Sequence, residues 1–293
     1  MAGAIAVVGK RLDLVQQAHR PTAFVFAVVK KFGDDRGGSL AALIAYYGYL
    51  SLFPMLLLFV TVVGYILPNY PGAQRQLKES VLSQFPVIGP QLGASVQPLR
   101  GNPVALTFAI LGLLWGSLGI SQTLQLVMHE VWDVPQTARP GFLSRLLRSL
   151  LLYGVLAIGV AVTTVLSAVG PHLVPGILGS VLAAIPAALV NVGLFYLAFR
   201  VLSPSTVKSR DLIPGVIVAG VGWQLLQSVG VNLVAHQLRH ASQIYGFFGL
   251  TIGLLGFLYL AGQLTVYAAE INVVLARRLW PRSIIQPAPA PAH

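Results

Sequence analysis

The stretch Gly38–Leu67, GSLAALIAYYGYLSLFPMLLLFVTVVGYIL, runs for 30 residues without a charged side chain. Crossing the hydrocarbon core of a bilayer takes about 20 residues of helix, so this stretch can span it with residues to spare. The surplus must be taken up by tilt, by a kink at Pro54 or by a start outside the hydrocarbon. Proline has no N–H to donate, which frees the Leu50 carbonyl and predicts a kink at that point.

Five more stretches downstream are long and apolar enough to span as well, at about Pro103–Met128, Leu146–Val169, Ile177–Leu202, Ile213–Ala235 and Phe247–Leu275. The chain is 56% hydrophobic and 9% charged, against about 25% charged in soluble domains. The expected fold class is therefore all-α, a polytopic membrane protein with six transmembrane helices. Residues 1–37 form an N-terminal segment, 38–278 the six-helix domain and 279–293 a disordered Pro/Ala-rich tail. The absence of cysteine removes disulfides, thiolate metal sites and thiol nucleophiles. Lys10 and Arg11 precede no long apolar core with a small-residue cleavage site, so no cleaved signal peptide is expected.

The basic residues set an orientation. Fifteen of them fall on the side of the N-terminus, among them Lys30, Lys31, Arg36, Arg139, Arg210, Arg277 and Arg278. Four fall opposite: Arg75, Lys78, Arg100 and Arg239. The positive-inside rule then puts both termini in the cytoplasm. Anionic lipid headgroups account for the net charge of +11 without a nucleic-acid partner. Outside the spans, residues 20–33 (RPTAFVFAVVKKFG) place Phe24, Val28 and Phe32 on one helical face. That pattern suits a helix lying at the interface or one packed on the bundle. Residues 68–102 hold two amphipathic patterns, at Leu77, Val81 and Phe85 and at Leu92, Val96 and Leu99, readable as short helices or as an ordered loop.

Four stretches together resemble the YihY/BrkB family of bacterial inner-membrane proteins. They are DDRGGSLAALIAYYGYLSLFPMLLLFVTVVGYIL from Asp34, LWGSLGISQTLQLVMHEVWDV from Leu114, RDLIPGVIVAGVGWQLLQ from Arg210 and IYGFFGLTIGLLGFLYLAGQLTVYAAEINVV from Ile244. The last ends in a small-small-Glu-hydrophobic-Asn pattern at Ala268, Ala269, Glu270, Ile271 and Asn272. The resemblance implies six transmembrane helices with both ends inside and localisation in the inner membrane. It implies no settled activity, and members were once labelled ribonuclease BN.

That label fits the residues poorly. Phosphodiester hydrolysis usually needs carboxylates or histidines clustered around metal. Here the acids on the N-terminal side (Asp13, Asp34, Asp35, Glu130, Asp133 and Asp211) are spread over four segments. His236 and His240 stand at i, i+4 and could take a metal if His172 joined them, but two histidines at a helix end are more often interfacial polar groups. No phosphate loop or nucleophile elbow is present, and nothing asks for a cofactor or metal. The expectation is not an enzyme.

The informative residues are polar ones inside spans. Tyr46, Tyr47, Ser51 and Pro54 lie on the first; Ser121 and Gln122 on the second; Gln224 and Gln227 on the fifth; Gln263, Tyr267, Glu270 and Asn272 on the sixth. They face inward, because polar atoms against lipid are costly. One reading makes them interhelical hydrogen bonds; the other makes them the lining of a polar cavity. Glu270 is either a boundary carboxylate tethered to Arg277 or Arg278, or an ionisable group facing Tyr46, Tyr47 or Gln122. The expected function is transport or translocation of a small or amphiphilic, lipid-like substrate by movement about Pro54. The alternative is a non-transporting scaffold for envelope integrity; a homo-oligomer would favour it. Membrane lipids are the expected partners on either reading.

Overall fold

The computed structural model describes residues 19–82, 103–173 and 177–283. Among them every regular element is helical. Helix α1 (Arg20–Asp34) begins with a proline in its first turn, where the missing N–H costs nothing. It buries Ala23, Ala27, Val28 and Lys31 along one face. Arg36 then adopts a left-handed φ of 54° and redirects the chain into α2 (Gly37–Ile66). After α3 (Pro71–Leu82) and α4 (Pro103–Val131), a 3-10 turn at Gln136–Ala138 leads to α5 (Phe142–Leu173) and α6 (Ile177–Leu202). A second 3-10 turn, Ser209–Leu212, opens α7 (Ile213–Ala276).

Helix α7 is 64 residues long, and a straight helix of that length would reach about 95 Å. Its two ends nevertheless touch. The Gly215 N–H donates to Asn272 Oδ1 at 2.7 Å, and a Cβ on Gly222 would meet Leu264 at 2.5 Å. The chain direction therefore reverses between Gly222 and Leu264, giving two antiparallel arms. Their approach is close enough that a Cβ on Gly215 would lie 1.9 Å from the Ala268 carbonyl oxygen; only glycine fits there.

Helix α2 is the central element, packed on both α4 and the second arm of α7. Leu40, Ala41 and Ile44 of α2 join Val127, Met128 and Val131 of α4 and Val266, Ala269 and Val273 of α7 in the main core. As the proline predicts, α2 is broken: Gly37–Leu52 and Pro54–Thr61 meet at 41°. Ile110–Val131, Phe142–Val162 and Thr251–Ala276 are long and apolar enough to cross a membrane, and the bent pair makes a fourth span if counted as one. Leu189–Leu202 is a shorter apolar helix. The expected spans 177–202 and 213–235 fall partly on side chains outside the described residues, and the amphipathic stretch 92–99 lies wholly outside them.

Helix α1 packs on the bundle. Ala27 and Val28 sit against Val274, Phe32 stacks on Tyr267 with centroids 4.0 Å apart, and Phe24 meets Trp280 edge-on. Leu279 and Trp280, placed by the sequence in the extended tail, belong to this same apolar contact.

Candidate functional site

Three helix ends converge at one end of the bundle: those of α1, α4 and the second arm of α7. Each contributes charge. Lys31, in the last turn of α1, is 97% shielded from solvent. Its ammonium donates to the Val131 carbonyl at 3.1 Å, one of the carbonyls that a helix end leaves without an intrahelical partner. It also pairs with Asp35, with Glu270 at 3.4 Å and with Asp133 at 3.9 Å. Arg277 approaches Asp133 from α7 at 2.6 Å and donates to the Trp132 carbonyl.

The backbone supplies this arrangement. Helix α4 ends with Asp133 at a left-handed φ of 51° and with Val134 N–H bonded to the His129 carbonyl. Helix α7 ends the same way, with Arg278 at φ 53° and Leu279 N–H bonded to the Val274 carbonyl. Both are Schellman-type ends. Aspartate tolerates that conformation better than most residues, and Arg277 engages its carboxylate.

Glu270 has no solvent exposure, and neither of its oxygens has a hydrogen bond. Removing an ion from water costs several kcal/mol even after relaxation, so the Lys31 ammonium is what makes a carboxylate tolerable there. Asp35 and Glu270 meet the same Lys31 ammonium. Burial pushes the Asp35 carboxyl above its ordinary value, against the opposing pull of Lys31.

This corrects the expected partners of Glu270. They are neither Tyr46, Tyr47 and Gln122 nor Arg277 and Arg278, because α1 lies over the bundle end and its lysine reaches the carboxylate first. Tyr267 shares the Glu270 face and takes Phe32 as its partner. Asn272 is fully buried and holds the two arms of α7 together through Gly215. Gln263 is half-buried farther along the arm.

The remaining candidates are dispersed. Ser51 is buried between α2 and α4: its hydroxyl donates to the Gly116 carbonyl at 3.0 Å and accepts from the Ile120 N–H at 3.2 Å. Those two groups are i, i+4 partners of α4, so Ser51 bridges its ladder. Pro54 lies beside Gly116. Ser121 is spent on α5, donating to Ser149 at 2.9 Å, where Gln125 adds bonds to Ser149 and to the Arg145 carbonyl. Gln122 is half-buried. Tyr46 and Tyr47 form an edge-on pair and remain 55% and 38% exposed. Gln224 is exposed and accepts from Asn191 at 3.4 Å, and Gln227 is half-buried. A cavity of about 220 Å³ opens between α2 and α3, lined by Phe59, Val60, Val63, Pro71, Gln74, Arg75 and Lys78; it contains none of these candidates. The side chains of His172, His236 and His240 lie outside the described residues.

Sequence reasoning missed Lys31, Asp35, Asp133 and Arg277 as a group. The available signal was the i, i+4 spacing of Lys31 and Asp35, which puts both on one helical face.

A sequence model of the family described as Virulence factor BrkB matches residues 28–292. YfkH of Bacillus subtilis (strain 168), whose name carries the words ribonuclease-like protein, is 26% identical over 87% of this chain and 96% of its own length. The inner membrane protein YhjD of Escherichia coli (strain K12) is 20% identical over 84% of this chain and 79% of its own. An uncharacterized protein of Dickeya dadantii (strain 3937) is 24% identical over 82% and 79% respectively. No solved structure matches the chain.

Proposed function

Because the chain belongs to the Virulence factor BrkB family, we propose that it acts as a six-span inner-membrane protein moving a small or amphiphilic substrate across or within the bilayer. The observation carrying this reading is the 41° break of α2 at Pro54. Discontinuous helices mark the binding and hinge regions of many transporters, because unpaired backbone survives at membrane depth only where protein or water satisfies it. Tyr46 and Tyr47 stand exposed about two turns before the break. Polar side chains exposed within a span suit a hydrated cleft better than lipid. In this reading both termini and the Lys31–Glu270 cluster face the cytoplasm, following the basic residues.

Nuclease activity is not proposed. Each acidic side chain among the described residues already meets a cation: Asp34 with Arg282, Glu130 with Arg139 and Asp133 with Arg277 are representative. No three such side chains among those residues are placed to hold a metal ion.

The same exposed tyrosines favour one other reading, in which a second copy covers them in a non-transporting scaffold. Single cysteines decide between the two, since the chain has none of its own. Cysteines replacing Tyr47, Gln122, Gln224 and Gln263 should react with a membrane-impermeant thiol reagent, while one replacing the exposed apolar residue Ile158 should not. Unreactive cysteines at all four positions, with Tyr47→Cys forming a disulfide between copies, would establish the scaffold instead.

A further inference from the structure

Three carboxylates surround Lys31 (Asp35, Glu270 and Asp133), and Arg277 adds one further cation through Asp133. With every group ionised, three negative charges face two positive ones. The neighbouring charges make contacts of their own or reach solvent. Asp34 and Glu130 are matched by Arg282 and Arg139, Lys30 is held by the Ser283 carbonyl, and Arg36 and Arg278 are exposed. Tyr267, the other titratable side chain on this face of α7, stacks on Phe32. The carbonyl ends of α1, α4 and α7 add further negative potential. An extra buried negative charge is costly unless a cation joins it. Glu270, fully buried and with neither oxygen hydrogen-bonded, is where that deficit falls.

We propose that this cluster is a proton-binding site, in which Asp35 and Glu270 share one proton beside Lys31, and that loss of the proton loosens α1 from the bundle. The proton leaves as one carboxylic O–H gives a carboxylate and a solvent proton. Asp133, one-third exposed, and the partly exposed Asp35 lie between Glu270 and water. The role of the site as the coupling site of transport rests on the reading above; its proton binding does not. Since the docked state binds the proton more tightly, docking weakens as pH rises through the site's titration.

Two measurements on the full chain in lipid nanodiscs test this without any transport assay. First, infrared difference spectra across a pH titration should show a protonated carboxyl band in the wild type that is lost or shifted in Glu270→Gln and in Asp35→Asn. Second, Ala27, fully buried on the face of α1 that packs against the bundle, is replaced by cysteine. Its maleimide labelling is divided by that of a cysteine at exposed Thr137, which cancels ordinary thiol ionisation. The ratio should rise with pH by up to about tenfold per unit, the limit for one proton, and stay low and flat when Glu270→Gln is added. No carboxyl band in the wild type overturns the proposal, and that result needs no variant to fold. An identical pH dependence with and without Glu270→Gln, or a flat ratio in both, overturns it too. A positive result alongside unreactive cavity cysteines would sink the transport reading alone.

Discussion

The Gly215 N–H donates to Asn272 Oδ1 at 2.7 Å although 57 residues separate them. This bond clamps the two arms of α7 where their backbones come closest, beside the Ala268 carbonyl. Gly215→Ala would force a Cβ into backbone rather than into a movable side chain, so the arms must separate. The expected loss is about 3 kcal/mol, read as a lower thermal midpoint in detergent and reduced membrane abundance. Wild-type stability of this variant would mean that the arms do not pack as described.

Ser51 and Pro54 separate packing from movement. Ser51→Ala removes one bridging hydroxyl and should cost about 1 kcal/mol. Pro54→Ala restores a backbone N–H, which can bond the Leu50 carbonyl and stabilise α2 by a similar amount, about 1 kcal/mol. If movement about Pro54 serves transport, that more stable variant should be the less active one. A Pro54→Ala protein both more stable and equally active would remove the hinge.

The all-helical, membrane-spanning character is legible from composition, because apolar runs of bilayer length leave few alternatives, and Pro54 announces its own break. The close contact of Gly215 with Ala268 is not legible, since nothing in either residue names the other. Glu270 is legible as an anomaly but not as a pair. Its partner belongs to an amphipathic helix whose lysines read equally well as ordinary positive-inside charges. Only the folded position of α1 distinguishes buried Lys31 from its neighbour Lys30. Ser121 illustrates the opposite case: a polar residue in a span, suited to a cavity, whose hydroxyl is used on Ser149.

Asp35 should leave a signature in the pH dependence of stability. Its folded-state carboxyl binds a proton more tightly than the ordinary value of 3.8. Over the window from 3.8 up to the raised value, the folded state holds more proton than the unfolded state. Its contribution to stability therefore falls as pH rises through that window and is level above it. Thermal midpoints measured against pH should show this decline in the wild type, with a smaller slope in Asp35→Asn. An unchanged slope would assign the titration to another group.

Lys31 is the counter-ion of Glu270, and a double-mutant cycle tests that pairing most directly. Lys31→Met alone leaves buried carboxylates without their ammonium and should cost about 3–5 kcal/mol. Glu270→Gln alone leaves Lys31 its partners Asp35 and Asp133 and should cost much less. Combining the two should recover part of the Lys31→Met loss, giving a coupling of at least about 1 kcal/mol in the stability of the purified protein. Additive losses, with no recovery in the double variant, would contradict the pairing.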